Sequence, residues 1–247
     1  MANPASRSNF LLALAGIALL LVGGAVGWTL ESRRGGGAID DAEFGSRVHA
    51  YIVEHPEVLV EAADKLKNQG GEKQLAELGD KVAQPFPGAV LGNPNGTVTL
   101  VEFTDFACTY CRGSAADVEA LVAANPDLKV VIRELPIIAP TSPDAARWGL
   151  AAAEQGKYPA FHKAMFAAGR TDMASIEGAA RVAGLDLERA RKFAADPRVT
   201  AEIEANVGMA RKLGVDGTPA WVVGDELIVG AVGHDGLAKA LAKARGS

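Results

Sequence analysis

The sequence contains very little cysteine. Cys108 and Cys111 are the only two cysteines among 247 residues, which excludes a scaffold held by several disulfides and a zinc site built from four cysteines. Basic charge is also scarce, since 25 lysine and arginine residues against 30 acidic ones give a net charge of −5. A strongly basic surface for nucleic acid is therefore not expected. A chain of this length can build a normal hydrophobic core without covalent support.

Charged residues are missing from one long stretch, Phe10 to Leu30. As a helix this stretch would span about 31 Å, the thickness of a bilayer core, and Trp28 would lie near one interface. We interpret residues 1–38, which end in a glycine-rich joint, as an uncleaved signal anchor; a cleaved signal peptide and a buried helix are the alternatives. Arg7 and Arg33 flank the stretch on opposite sides, so flanking charge alone leaves its orientation open.

Residues 39–84 are predicted to form a helical extension. Within the segment 40–82, apolar residues recur at steps of three and four, which is typical of amphipathic helices. The segment is either a spacer between membrane and domain or a helix through which copies of the chain form a homo-oligomer, because its apolar stripe must be covered. The stripe consists of Phe44, Val48, Tyr51, Ile52, Leu59, Ala62 and Leu66.

Residues 85–247 have the pattern of an α/β domain. A strand over 97–104, a helix and a strand over 128–135 predict a parallel β–α–β unit. Almost everything from 142 to 213 is then predicted to be helical, as a subdomain inserted into the sheet. Two short strands and a closing helix are predicted at the end, over 220–223, 227–229 and 235–245.

The chemistry concentrates in the motif Cys108-Thr109-Tyr110-Cys111, which follows a predicted strand and opens a helix. A thiol at a helix N-terminus faces unpaired N–H groups and the positive end of the dipole, and both favour the thiolate. The three-residue spacing puts Cys111 on the same face, one turn deeper. We therefore predict redox chemistry in which an exposed Cys108 exchanges with a partner's sulfur and Cys111 resolves the mixed disulfide.

Other interpretations of the two cysteines are weaker. A structural disulfide across four residues constrains the unfolded chain little. The closeness of the two cysteines by coincidence is another alternative. A zinc site would need two more ligands, and no histidines are paired at ligand spacing, so no metal is expected. The second hypothesis is a non-catalytic metal-binding or chaperone module that holds copper through the reduced thiols. The four histidines are His49, His55, His162 and His234.

Glu102 is an acidic residue inside an otherwise apolar strand. Alternation places it on the same face as Leu100. If that face is buried, the pKa of the carboxyl group should rise and Glu102 could accept the proton of Cys111. If the face of Val101 and Phe103 is the buried one, Glu102 is exposed.

Thr218-Pro219 leads directly into a predicted strand. A proline that opens a strand is a candidate for a cis peptide bond, although most such bonds are trans.

These motifs together resemble a known family. The stretch VEFTDFACTYC over residues 101–111, the helical insert, the stretch GTPAWVVG over 217–224 and the final helix are similar to DsbA-like thiol:disulfide oxidoreductases of the thioredoxin superfamily. The resemblance covers residues 88–245. It is strongest to exported members related to the suppressor of copper sensitivity and Com1-like proteins, whose helical extension is similar to residues 48–59.

The resemblance implies a thioredoxin-like fold with a helical insert, preceded in the chain by the transmembrane anchor and the helical extension. Pro219 would be the cis-proline beside a redox-active Cys108–Cys111 disulfide, and no further cofactor is implied. Asp105 would have a positioning role only. The implied catalytic residues are Cys108, Cys111 and Glu102; the implied substrate-binding residues are Thr109, Tyr110, Thr218 and Pro219.

The resemblance also implies where the domain works and on what. It would lie in the periplasm or an equivalent space, held by the anchor in the inner membrane. It would act on exported proteins with free thiols or wrong disulfides, and a membrane redox partner would reset it. One departure leaves the direction open: Thr109 stands where many relatives have proline, and Tyr110 with Thr218 resembles disulfide isomerases. Oxidase, isomerase and reductase activity are all compatible with the residues.

Overall fold

A computed structural model describes residues 41–59, 62 and 73–246 of the chain. The chain divides into two compact units, Met1–Val60 and Glu61–Ser247. Within the described residues, no helix is both long and apolar enough to cross a membrane. The anchor predicted over Phe10 to Leu30 lies outside the described residues.

The described part of the first unit is dominated by one helix, α1, Asp41–Glu54. Asp41 and Glu43 occupy its first turn, where negative charge is favourable beside the positive end of the helix dipole. No residue of α1 is buried. Its apolar side chains are therefore open, with Phe44 55% and Tyr51 56% exposed.

The second unit is built around a five-stranded sheet in the order β1-β3-β2-β4-β5. β2 and β3 are parallel and are joined by helix α2, while the other neighbours are antiparallel. The prediction of an α/β fold with a parallel β–α–β unit is confirmed. The strands are β1 Val90–Gly92, β2 Val98–Thr104, β3 Leu128–Glu134, β4 Ala220–Val223 and β5 Glu226–Val229, and α2 is Thr109–Ala124.

Five helices lie between β3 and β4. Aspartates cap three of them, because the side chains of Asp172, Asp186 and Asp196 accept hydrogen bonds from backbone N–H groups of the first turn. A final helix follows β5, and a 3-10 helix, Gly79–Ala83, precedes β1. The helices are α3 Ser142–Glu154, α4 Tyr158–Ala168, α5 Met173–Val182, α6 Leu187–Ala194, α7 Pro197–Lys212 and α8 Gly233–Arg245.

Both faces of the central sheet are covered. One face, with Leu100, packs against side chains of α2 and α8. The opposite face, with Val101 and Phe103, packs against residues around the 3-10 helix and the end of α7. The sequence interpretation assumed a single buried face of β2 and was wrong in that respect. Because both faces are covered, every position of β2 from Leu100 to Thr104 is buried, and Glu102 is buried together with its neighbours.

Candidate redox site

The cysteine pair lies where the loop after β2 becomes α2. Cys108 is the N-cap residue with extended backbone angles (φ −78°, ψ 122°), and the helix begins at Thr109. The Cys108 N–H donates to the Asp105 carbonyl at 2.9 Å, and the Arg112 N–H donates to the Cys108 carbonyl at 3.1 Å. The first sulfur therefore lies at the N-terminus of the helix, next to the backbone N–H groups of its first turn.

The two sulfurs are free thiols in this structure, and both are more enclosed than the motif alone indicated. Cys108 keeps 4% of its surface exposed and Cys111 none. Cys111 is the deeper of the two. The expectation of an openly exposed Cys108 is wrong, because the loop before β4 lies over it.

That loop carries Thr218 and Pro219, joined by a cis peptide bond. The Cys108 thiol donates to the Thr218 carbonyl across a distance of 3.2 Å. Two segments 110 residues apart in sequence therefore meet at the reactive sulfur.

Cys111 lies in a setting that opposes its ionisation. Burial, with a smaller contribution from the negative charge of Glu102, raises the pKa of its thiol to about 12. The Thr218 hydroxyl and the Asp105 backbone favour the thiolate and offset only part of this effect.

Glu102 lies close enough to Cys111 for its charge to affect the thiol. It is 1% exposed, and neither carboxyl oxygen has a hydrogen-bond partner among the described residues. Burial raises the pKa of Glu102 from 4.5 to about 7, although the nearby Thr104 hydroxyl acts in the lowering direction. At neutral pH the group can therefore exist in both protonation states, as a general acid or base requires.

Asp105 holds the rim of the site together. Its Oδ1 accepts from the Ala107 N–H, and its Oδ2 accepts from the N–H groups of Ile137 and Ile138, all at 2.8 Å. The loop after β3 is thereby fixed to the loop that leads to Cys108. Tyr110 is 70% exposed and the two isoleucines are 44% and 49% exposed, so the rim offers apolar contact area. Thr109 is also exposed.

Glu134 and Tyr158 are among the polar residues of the interior that the sequence interpretation missed. Both are buried, and the Tyr158 hydroxyl donates to Glu134 Oε1 at 2.7 Å. A signal for Glu134 was present, because it ends an apolar strand on the same alternation as Val130 and Ile132. The same reasoning that selected Glu102 would have selected it.

The described residues bring together no group of three or more histidine, cysteine, aspartate or glutamate side chains that could hold a metal ion. His162 is buried beside Phe106 and Phe166, with ring centroids 5.9 and 4.8 Å away. Burial lowers the pKa of His162 to about 4. The histidine is therefore a neutral part of the core at neutral pH.

A family comparison agrees with this geometry. The family model of the DSBA-like thioredoxin domain matches residues 99–242. The chain belongs to this DsbA-like family. A second model, the copper resistance protein ScsC N-terminal domain, matches residues 40–71 of the DsbA-like chain, which include α1.

Solved structures resemble this DsbA-like protein over most of its length. A thioredoxin-like oxidoreductase from Silicibacter pomeroyi is 43% identical, with a TM-score of 0.65, covering 68% of this chain and 98% of the other. A Proteus mirabilis ScsC variant with a linker deletion is 27% identical, with a TM-score of 0.66, covering 85% and 96%. A periplasmic thioredoxin-like protein from Salmonella enterica is 30% identical, with a TM-score of 0.61, covering 68% and 95%.

Curated relatives of the DsbA-like chain are much longer proteins. The Na(+)/H(+) antiporter NhaA 1 of Salinispora arenicola is 32% identical over 158 residues, which are 63% of this chain and 24% of that protein. The chain thus spans about a quarter of the length of these curated relatives, and the likeness concerns only that part of them.

Proposed function

We propose that this chain catalyses thiol–disulfide exchange on exported proteins through Cys108 and Cys111. The observation that carries the proposal is the contact between Cys108 Sγ and the Thr218 carbonyl at 3.2 Å, above a fully buried Cys111. One sulfur is at the position where a substrate strand would pair, and the other is shielded from it. This is the arrangement that a two-step exchange requires.

In the oxidising direction, a substrate thiolate attacks Cys108 in the Cys108–Cys111 disulfide. A substrate–Cys108 disulfide forms, and Cys111 leaves as a thiolate with the electron pair of the broken bond. A second substrate thiolate then attacks the substrate sulfur and releases Cys108. The substrate is oxidised by two electrons and the cysteine pair is reduced by two. In the isomerising or reducing direction, the thiolate of Cys108 attacks a substrate disulfide first.

In this cycle Glu102 exchanges a proton with Cys111. A thiol with a pKa of about 12 is a poor leaving group, because leaving is faster when the pKa is lower. A neighbouring acid with a pKa of about 7 can protonate Cys111 as it leaves and can take the proton back in the reverse step.

Substrates are proposed to be extended or partly unfolded chains. Backbone hydrogen bonds beside Thr218 and Pro219 would hold any sequence around the reacting cysteine. The exposed side chains of Thr109 and Tyr110 lie on the helix that carries both cysteines, where they would contact residues flanking the substrate cysteine.

The test uses the purified full chain and a reduced, unfolded reporter protein whose activity depends on its disulfides. The oxidised chain should restore reporter activity, or the reduced chain should rearrange a scrambled reporter, and Cys108→Ser should abolish either activity. Cys111→Ser should accumulate mixed disulfides at Cys108, whereas a variant with both substitutions should not. A chain inactive in both assays would refute the proposal. The reduction potential of the pair then assigns the net direction of transfer.

We place the catalytic domain outside the cytoplasm, held by the segment from Phe10 to Leu30. The match to the ScsC N-terminal domain and the periplasmic relative from Salmonella enterica support the location. A membrane redox partner would reset the cysteine pair after each cycle. Alkylation of Cys108 by a reagent that does not cross membranes, in intact cells expressing the chain, tests the orientation.

Segment 40–82 is proposed to join copies of the chain. Phe44, Val48 and Tyr51 recur at steps of four and three along α1, and all are at least 40% exposed. A single chain leaves this stripe in water, whereas helices packed side by side would cover it. Light scattering of the full chain in detergent should give a multiple of the monomer mass, and Phe44→Ser with Tyr51→Ser should reduce it. A monomer before substitution supports the spacer instead.

A further inference from the structure

A buried threonine lies on β2 between Glu102 and the cysteine loop. Thr104 is the last residue of the strand, two positions closer to the cysteines than Glu102, and strand alternation places the two side chains on one face. On that face Leu100 packs against α2, the helix that carries Cys111. Thr104 has 0% of its surface exposed, so its hydroxyl group is shut off from solvent in the same interior as the Cys111 thiol.

The backbone of Thr104 is held in place, whereas its hydroxyl is not. The Leu135 N–H donates to the Thr104 carbonyl at 2.8 Å, and Thr104 is opposite Glu134 in the β2–β3 register. Among the described residues, Thr104 Oγ1 has no hydrogen-bond partner. A hydroxyl group can donate one proton and accept another through its lone pairs, and its hydrogen rotates to suit its neighbours. Thr104 can therefore accept from one neighbour and donate to a second.

The Thr104 hydroxyl acts on both partners of the proposed proton exchange. Burial raises the pKa of Glu102, and this hydroxyl acts against the effect of burial. Burial likewise raises the pKa of Cys111, and the Thr104 hydroxyl is one of the groups that act against it. The Thr218 hydroxyl also favours the Cys111 thiolate, but the hydrogen-bonding effect on Glu102 comes from Thr104.

Glu102 and Cys111 do not form a direct hydrogen bond. Neither carboxyl oxygen of Glu102 has a partner in the described part of the chain, although its charge acts on the thiol. A proton moves between two groups within hydrogen-bond reach, about 2.6–3.2 Å, or through one bridging group. The Thr104 hydroxyl is the group in position to form such a bridge.

The other titratable groups of this interior are engaged elsewhere or neutral. The Tyr158 hydroxyl donates to Glu134 Oε1 at 2.7 Å, and burial raises the pKa of both groups well above their ordinary values. Both oxygens of Asp105 accept from backbone N–H groups. Burial lowers the pKa of His162 to about 4, so it is neutral at neutral pH. The groups are Glu134 on β3, Asp105 on the loop after β2, Cys108 at the N-cap of α2, and Tyr158 and His162 on α4.

We propose that the Thr104 hydroxyl relays the proton between Cys111 and Glu102. The inference rests on the proposed function, since the relay has a task only if Cys111 takes part in disulfide exchange. It adds to that function the route by which a proton passes between two groups that have no direct hydrogen bond.

The step served is closure of the disulfide. The Cys111 thiol donates its proton to Thr104 Oγ1 while the Thr104 hydroxyl gives its own proton to the ionised carboxylate of Glu102. The Cys111 thiolate attacks Cys108 in the mixed disulfide, and the Cys108–Cys111 bond forms. The bond between Cys108 and substrate breaks, and the substrate sulfur leaves with its electron pair as a thiolate. Thr104 is a hydroxyl again at the end, and one proton has moved from Cys111 to Glu102.

The test measures the rate of this closure at pH 8 in the full chain, using a preformed mixed disulfide between Cys108 and a small thiol. Thr104→Val keeps the shape but removes the hydroxyl, and it should slow closure by about 100-fold, as expected for loss of a general acid–base path. Thr104→Ser keeps the hydroxyl and should close at nearly the parent rate. Thr99→Val on the same strand is the matched control and should not slow closure. Equal rates in Thr104→Val and Thr104→Ser would overturn the relay.

A double substitution separates a relay from an independent effect on the thiol. In a Glu102→Gln chain the relay has no acceptor, so adding Thr104→Val should slow closure little further. If Thr104→Val slows closure by the same factor in both backgrounds, the relay is overturned. Thr104→Ala removes the same hydroxyl and replaces Thr104→Val if that variant does not fold.

Infrared spectra test the contact itself without any exchange reaction. The band of protonated carboxyl groups that disappears in Glu102→Gln belongs to Glu102, and its midpoint should rise by about one pH unit in Thr104→Val, because the carboxylate loses a donor. Such a rise alone would slow closure only about twofold at pH 8, far less than loss of the relay. An unchanged midpoint would overturn the proposal.

The same mixed disulfide separates failure of the relay from failure of the function. An unaltered chain that neither forms nor closes a mixed disulfide at Cys108 refutes the proposed function and the relay together. A chain that closes it equally fast with and without the Thr104 hydroxyl refutes the relay alone.

Discussion

Replacement of Glu102 by glutamine should make the folded chain less sensitive to alkaline pH. Burial gives Glu102 a pKa of about 7, with Thr104 acting in the opposite direction, against 4.5 for an ordinary glutamate. The folded state therefore binds this proton more tightly than the unfolded state. The stabilisation from the protonated group is complete below about pH 4.5 and is lost as pH rises through about 7.

The size of the effect follows from the two pKa values. Each tenfold difference in proton affinity corresponds to about 1.4 kcal/mol, so the pKa values of about 7 and 4.5 give about 3 kcal/mol. A glutamine side chain does not titrate, so it makes no pH-dependent contribution to the unfolding free energy over this range. Between about pH 4 and pH 8 the parent chain should therefore lose about 3 kcal/mol of unfolding free energy that Glu102→Gln retains.

Urea denaturation under reducing conditions, followed by circular dichroism at several pH values, measures this difference. Glu204→Gln on the exposed surface of α7 is the matched control, and it should show the pH dependence of the parent. If the unfolding free energy of Glu102→Gln falls between pH 4 and pH 8 as steeply as that of the parent, the raised pKa of Glu102 is refuted.

Three further substitutions test the interior, and a fourth, Gly178→Ala, is the control for the first. Gly149→Ala places a Cβ 2.7 Å from Glu134 Oε1, and urea denaturation should show a loss of about 1–3 kcal/mol of unfolding free energy. An added Cβ at Gly178 would meet no atom within 4 Å. Gly178→Ala should therefore be neutral or stabilising by up to about 1 kcal/mol. Burial lowers the pKa of His162 from 6.5 to about 4. As pH falls from 6.5 to 4, the parent should therefore lose about 3 kcal/mol of unfolding free energy that His162→Leu keeps. Equal losses of unfolding free energy in the two proteins over this range would contradict the prediction. Arg133→Lys keeps the charge but loses the fork that reaches Glu202 at 2.9 Å and the Val82 carbonyl at 3.2 Å, and the unfolding free energy should fall by about 2 kcal/mol.

The sequence predicted much of the fold because its local signals agree with one another. The strand predicted over 97–104 and the two cysteines that open the next helix indicate the same strand–loop–helix unit. Strand alternation left Glu102 either buried or exposed, and the family resemblance favoured the buried alternative. Glu134 carries the same signal at the end of the next strand, and it was missed because no reactive residue follows it in the chain.

The enclosure of Cys108 lay beyond local reasoning. It depends on the Thr218 carbonyl, 110 residues away, and a spacing motif contains no information about which loop folds back over it. The partner of Glu134 is equally remote, since Tyr158 lies on the inserted helices. The burial of both faces of β2 likewise depends on how distant helices pack, not on the strand's own pattern.

The opposite pKa shifts of Glu102 and His162 have a joint consequence for the whole molecule. Between about pH 4.5 and 6.5 the folded chain holds a proton at Glu102 that the unfolded chain releases, and it lacks a proton at His162 that the unfolded chain binds. The two contributions to the slope of stability against pH have opposite signs and similar size. Both groups are neutral in this window, so the interior behind the cysteines holds an acid and a base without burying either as a charge. The raised pKa of Glu134 contributes a slope of stability against pH with the same sign as that of Glu102. Two acids therefore oppose one histidine, and the parent chain should still lose stability as pH rises in this window. Replacing Glu102 should flatten this slope, and replacing His162 should make it steeper.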